Sequence, residues 1–276
     1  MLLKQDARKI PILMYHSISQ STNPRYRDLC VSPASFAAQM DYLCQHAYMP
    51  LNTTQLIDAL TGKILLPERP VVITFDDGFA DFYHHALPAL SRYNFTATLY
   101  IATGFIGRTS LWLRQEKETQ HPMVTWEQIA EINKSGIECG AHTRSHPKLD
   151  AIPLVMARDE IQGSKDDLEQ YLGQEVTSFA YPYGYYTMDV RRLVKEAGFT
   201  SACAVNFAMC LDVADHFTLD RLMVTPDMDI STFGALLTQE GYSQLRKMYM
   251  RARIPVKNML RYCVASMPRL YAETLG

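Results

Sequence analysis

Two adjacent carboxylates, Asp76 and Asp77, close the run Val71-Val72-Ile73-Thr74-Phe75 and are followed at once by Gly78. The run is β-branched and aromatic, the composition of a buried strand, and the glycine marks the turn that ends it. Like charges side by side at such a point repel one another, and burial raises the cost of ionising either. A bound cation removes that penalty: one carboxylate ligates it, and the neighbour, left free, serves as a base toward water. Farther along, Gly140-Ala141-His142-Thr143-Arg144-Ser145-His146 sets two histidines four apart, again just past a strand-like stretch at 136–141. One aspartate with two histidines is a three-ligand set for a hydrolytic zinc site with an open position.

The elements that must position these groups alternate along the chain. Ile10 to Tyr15 predicts a first strand. Ser32-Pro33 offers an N-cap and a proline in the first helical turn, with Phe36, Met40 and Leu43 at helical spacing. A helix is predicted near 81–93 with a kink at Pro88, then a strand over 97–102. Thr125-Trp126-Glu127-Gln128 has the form of a capping box. Further units follow: a strand ending at Ala141, helix 153–172, strand 178–181, helix 187–197, strand 199–205 and a closing segment from Leu219 to Val224. Repeated strand–helix units favour an α/β fold with a parallel sheet, and a barrel holds its site at the strands' C-terminal ends, where the motifs fall. Residues 103–124 lack clean periodicity and hold Gly104, Gly107, Trp112 and the charged run Arg114 to Glu118. They read as a long loop over the mouth.

Three segments, taken in order, resemble the motifs of the polysaccharide deacetylases, or NodB-homology family. They are Thr74-Phe75-Asp76-Asp77-Gly78-Phe79, His142-Thr143-Arg144-Ser145-His146 and Tyr181-Pro182-Tyr183-Gly184. The resemblance runs from about Ile10 to Leu237. It implies a distorted, incomplete (β/α) barrel, a metal held by Asp77, His142 and His146, and Asp76 as general base. It also implies the Tyr183 backbone N–H as an oxyanion donor. A carboxylate with imidazoles suits Zn2+, with Co2+, Ni2+ and Fe2+ as alternatives. The implied substrate is an acylated amino sugar, free, in an oligosaccharide or lipid-linked, that loses its N-acyl group.

Three family features are missing. Members often carry an arginine two residues before the proline of the third motif, holding the base; here Ala180 stands there. The late Leu-x-His motif is replaced by Thr218-Leu219-Asp220-Arg221-Leu222, and the acid-and-tryptophan motif is absent. Arg221 is therefore the candidate to orient Asp76 through a charge-assisted hydrogen bond. His16, ending the first strand in Leu13-Met14-Tyr15-His16, is the candidate general acid for the leaving amine, since imidazole titrates near the pH of that duty. A similar Tyr-His pair opens the poly-N-acetylglucosamine deacetylases. His46, His84, His85, His121 and His216 are read as surface or helix residues.

A chain of 276 residues suits one barrel domain over 1–241 with a basic amphipathic appendage over 242–276. From Gln244 on, basic residues outnumber acids seven to one, with apolar residues at helical spacing, so the appendage either packs on an acidic face, forms a dimer contact or lies on anionic membrane. A net charge of −2 argues against a nucleic-acid partner. The six cysteines lack CxxC pairing and are expected to be reduced and buried. Met1 to Lys9 is too charged for a signal peptide, and no run approaches the ~18 apolar residues of a membrane span, so the expected location is cytoplasmic, peripheral to the inner membrane if the appendage binds it. No GxSxG elbow, phosphate-binding loop or dinucleotide fingerprint is present. The expected function is metal-dependent deacetylation of an amino sugar. The alternatives are a cytosolic small-amide (ureide-like) hydrolase on the same scaffold and a non-catalytic carbohydrate-binding protein.

Overall fold

The computed structural model describes residues 10–21, 23–114, 117–205 and 215–238; the appendage at 242–276, Cys210 and Cys263 lie outside the described residues. Its strands are β1 (Ile12–Tyr15), β2 (Met49–Leu51), β3 (Pro70–Phe75), β4 (Thr98–Ile101), β5 (Glu138–Ala141), β6 (Ser178–Ala180), β7 (Ser201–Cys203) and β8 (Leu222–Met223). All pair in parallel in the order β7-β6-β5-β4-β3-β1-β8, with β2 beside the N-terminal half of β3. Between the edge strands β7 and β8 the described residues show one isolated backbone bridge, Cys203 to Leu219, just before β8 begins. This is an incomplete (β/α) barrel, as expected, and because the strands are parallel the loops that follow them gather at one end.

Helices α1 (Pro33–Gln45), α2 (Thr53–Leu60), α3 (Leu87–Ser91), α4 (Trp126–Lys134), α5 (Leu154–Leu172), α6 (Met188–Glu196) and α7 (Ile230–Leu236) surround the sheet. Their starts follow the expected chemistry. Ser32 accepts from the Ser35 N–H ahead of Pro33, and Thr125 and Gln128 cap one another reciprocally. The expected helix at 81–93 is broken into a π turn, Phe82–Ala86, followed by α3. Pro88 has no N–H to donate and its ring crowds the preceding turn, so the backbone widens there.

The β2–α2 unit was not anticipated. Asn52 and Gln55 form a second capping box, and α2 turns Leu56 and Ile57 onto Ile12, Val72, Tyr100 and Cys203 at the barrel's N-terminal end. A three-residue strand and a two-turn helix are too short to display a period. Cys30, Cys139 and Cys203 are buried thiols, whereas Cys44 is exposed, because it follows Leu43 on the outer side of α1.

Candidate active site

Asp76 and Asp77 directly follow β3, and the chain turns back at once, with Asp77 at φ 77° and Gly78 at φ 84°. Left-handed backbone at an aspartate is tolerated but strained, and it recurs here at His146 (φ 56°) and Tyr183 (φ 59°). The reversal lets two neighbouring carboxylates serve different partners. Asp77 Oδ1 lies 3.5 Å from His142 Nε2 and 3.2 Å from His146 Nε2, and the two Nε2 atoms are 3.2 Å apart. All three side chains are buried. His142 Nδ1 is 2.7 Å from the Ala180 carbonyl. Donating there puts the ring proton on Nδ1, which leaves Nε2 of the neutral ring a lone pair. That lone pair faces a carboxylate and a second imidazole, an arrangement that repels without a cation between them. Burial pushes the Asp77 carboxyl up, but His146 and His142 outweigh it and hold the group far below the usual carboxylate range. The donor set fits a divalent metal.

The loop carrying the histidines is pinned to α5. Glu160 accepts the backbone N–H of Arg144 at 2.9 Å and of Ser145 at 2.7 Å, and also the Ser145 hydroxyl. Arg144 reaches across α5 to Asp167, with bonds of 2.9 and 2.6 Å. Gly163 makes that crossing possible: a Cβ there would sit 2.4 Å from the Arg144 guanidinium carbon. Asp167 also accepts from Thr103, and the Thr103 and Gly104 N–H groups bond the Thr143 and Arg144 carbonyls. None of Glu160, Asp167 or Thr103 had been singled out; their roles depend on which helix face meets the loop, and single-sequence spacing does not carry that.

Arg221 is fully buried and meets Asp76 as a bidentate pair, Nη1 to Oδ1 at 2.6 Å and Nη2 to Oδ2 at 2.7 Å. Its remaining donors reach Thr74 Oγ1 (3.2 Å) and the Ala204 carbonyl (3.1 Å), and its face lies 5.7 Å from the Tyr100 ring centroid. Arg221 precedes β8, at the N-terminal side, and reaches Asp76 through the barrel interior. Burial would raise the Asp76 carboxyl, but the guanidinium, with help from His142, brings it below its ordinary value. His16 follows β1 and is half-buried; burial lowers its pKa, the charges of Asp77 and Asp76 oppose that, and the net shift is downward. The structure thus gathers His16 with both aspartates and Arg221 at one mouth.

Tyr183 occupies the short turn Pro182–Gly184 after β6, its ring 4.7 Å from that of His146. From the other side the 103–124 loop lays Trp112 against His146 at 5.3 Å, backed by Phe105 and Phe79 at 4.6 and 6.0 Å. The loop does cover the mouth, and Trp112 is its contact residue. His121 is not a surface residue as expected: it is largely buried, 2.9 Å from Glu118 and 4.5 Å from the Tyr26 ring. Leu113 and Met123 of the loop pack with Tyr26, Cys30 and Phe79 in a small apolar cluster, which the lack of periodicity concealed.

Comparison with known proteins agrees with this geometry. The family described as polysaccharide deacetylase matches residues 64–202. YxkH of Bacillus subtilis (strain 168), named among polysaccharide deacetylases, is 30% identical over 83% of this chain and 76% of its own length. The poly-beta-1,6-N-acetyl-D-glucosamine N-deacetylase of Staphylococcus aureus (strain MRSA252) is 24% identical over 75% and 72%. Among solved structures, the Streptococcus pyogenes deacetylase PplD in complex with acetate is 28% identical with a TM-score of 0.70, covering 81% of this chain and 95% of that one. IcaB from Ammonifex degensii is 26% identical with a TM-score of 0.70, covering 85% and 97%. Fold, motif order and relatives converge, and the chain belongs to the polysaccharide deacetylase family.

Proposed function

We propose that this protein is a metal-dependent deacetylase that removes an N-acyl group, acetyl in the first instance, from an amino sugar in a glycan or glycan precursor. The observation that carries the reading is the buried Asp77–His142–His146 cluster beside a carboxylate, Asp76, held in a fork by Arg221. These three residues would hold the ion, zinc being the first candidate. A divalent ion held there supplies Lewis acidity toward an acyl oxygen and toward water.

The chain's own residues supply the rest. Asp76, kept ionised by Arg221, accepts a proton from the attacking water as the new C–O bond forms at the acyl carbon. The Tyr183 N–H would donate to the oxygen on which charge develops. His16 returns a proton to the amine nitrogen as the C–N bond breaks, leaving acetate and a free amine. Trp112 and Tyr183 flank His146 and limit water at the mouth. An amino-sugar substrate is supported by the S. aureus relative, named for a β-1,6-linked N-acetylglucosamine polymer.

The test is Asp76→Asn. Loss of one general base lowers turnover on acetylated sugar oligomers by about 10²–10⁴-fold, while metal content stays stoichiometric. Activity that survives the substitution would show the base to be misassigned.

A further inference from the structure

Asp81 follows Asp77 by four residues and stands at the head of the π turn Phe82–Ala86. An aspartate at such a place ordinarily caps its own helix, but this side chain makes no capping bond. It reaches instead to the segment that follows β1. Ser17 Oγ donates to Asp81 Oδ2 at 2.5 Å, and the Ile18 N–H faces the same carboxylate. Ser17 is held from a second side by backbone bonds: its N–H donates to the Leu29 carbonyl at 3.1 Å, and its carbonyl accepts from the Val31 N–H at 2.9 Å. Ser17, with Tyr26 and Cys30 beside it, is buried, so the contact is made away from water.

His16 lies between two fixed points. The β1–β3 ladder ends with Tyr15 opposite Phe75, and the Tyr15 carbonyl accepts the Asp76 N–H at 3.0 Å. Past that point the next anchor is Ser17. The chain leaving Asp77 through Gly78, Phe79 and Ala80 therefore returns, at Asp81, to the residue beside His16. That closes a loop tying the candidate acid to both aspartates. A hydrogen bond in a low-dielectric interior is stronger than one in water, and a displacement of about 1 Å at a reacting group can cost 10²-fold in rate. We propose that Asp81 is a positioning residue: through Ser17 and Ile18 it holds the His16 imidazole where it can protonate the leaving amine. The inference rests on the deacetylase reading and on His16 as its acid, but the tie itself can be read without turnover.

Two measurements separate the claims. The first is kcat on acetylated sugar oligomers divided by kcat on para-nitrophenyl acetate, with KM and metal content followed beside it. The amide must have its amine protonated to break, whereas the phenolate of the ester leaves without a proton, so the ratio isolates the acid from the rest of the site. The second is the NMR signal of the His16 ring, assigned by its loss in His16→Ala. Asp81→Ala should lower the ratio about 10²-fold through kcat rather than KM, keep the metal, and shift the ring signal. Ser17→Ala, which removes one hydroxyl and leaves the turn intact, should act in the same direction. Asp81→Asn keeps an acceptor for Ser17 and should recover most of both. A ratio and a ring signal unmoved by Asp81→Ala and Ser17→Ala would overturn the proposal, as would equal losses on amide and ester with the signal in place. A ring signal shifted in both variants, in a protein that releases no acetate from any sugar, would keep the tie and sink the deacetylase reading instead.

Discussion

Arg221 and Asp76 form a buried ion pair whose members have no solvent to fall back on. Removing one partner of such a pair leaves an uncompensated charge in the interior. Arg221→Met should therefore destabilise the protein by about 3–5 kcal/mol and abolish activity, as read by denaturant unfolding and turnover. Arg221→Lys keeps the charge but not the planar fork, and should fold better than it works. A methionine variant as stable as the wild type would show that Arg221 does not compensate Asp76. For His16 the sign is set by direction. Burial, the largest cause, lowers its pKa, so its protonated form is lost at a pH below the imidazole's ordinary range. A general acid works only while protonated. The alkaline limb of kcat/KM should accordingly lie below about 6.5, the unperturbed imidazole value, and His16→Ala should remove the limb and lower kcat. An unchanged profile in that variant would rule His16 out as the acid.

At the scale of elements, the active-site geometry is set by how loops are tied to helices. Glu160 on α5 takes two backbone N–H groups from between the two histidines. Glu160→Ala should free that loop and weaken metal retention by about 10–100-fold, the usual cost of losing an outer support, measured by competition with a chelator. Retention equal to the wild type would mean that the Arg144–Asp167 pair suffices. Much at this scale was legible from the sequence: Asp76-Asp77-Gly78, the two histidines and the Pro182 turn all mark strand ends by local composition. The capping residues Ser32 and Thr125 act as their types predict. What was not legible is non-local. Glu160 and Asp167 look like ordinary helix-surface acids until the face of α5 is known. The β2–α2 unit left only the Asn52–Gln55 box as a signal, and that box was missed.

At the scale of the whole molecule, the open side of the barrel gives Arg221 its route to Asp76. The barrel is incomplete: among the described residues β7 and β8 form no paired ladder, and the lead-in to β8 brings Arg221 into the interior beside Tyr100 and Thr74. A guanidinium entering from that side reaches Asp76, while the backbone carbonyl of residue 180 faces His142. Sequence order pointed to Arg221 by elimination of motifs, but its route required the fold. Among the described residues no helix is long and apolar enough to cross a membrane. The proposed chemistry depends on the active-site loops holding a metal for amide hydrolysis. The most direct test is acetate released from β-1,6-linked N-acetylglucosamine oligomers by chelator-stripped protein, before and after zinc is restored. The stripped protein should release none and recover with zinc; release that persists without metal, or none after zinc is restored, would rule out a metal-dependent deacetylase.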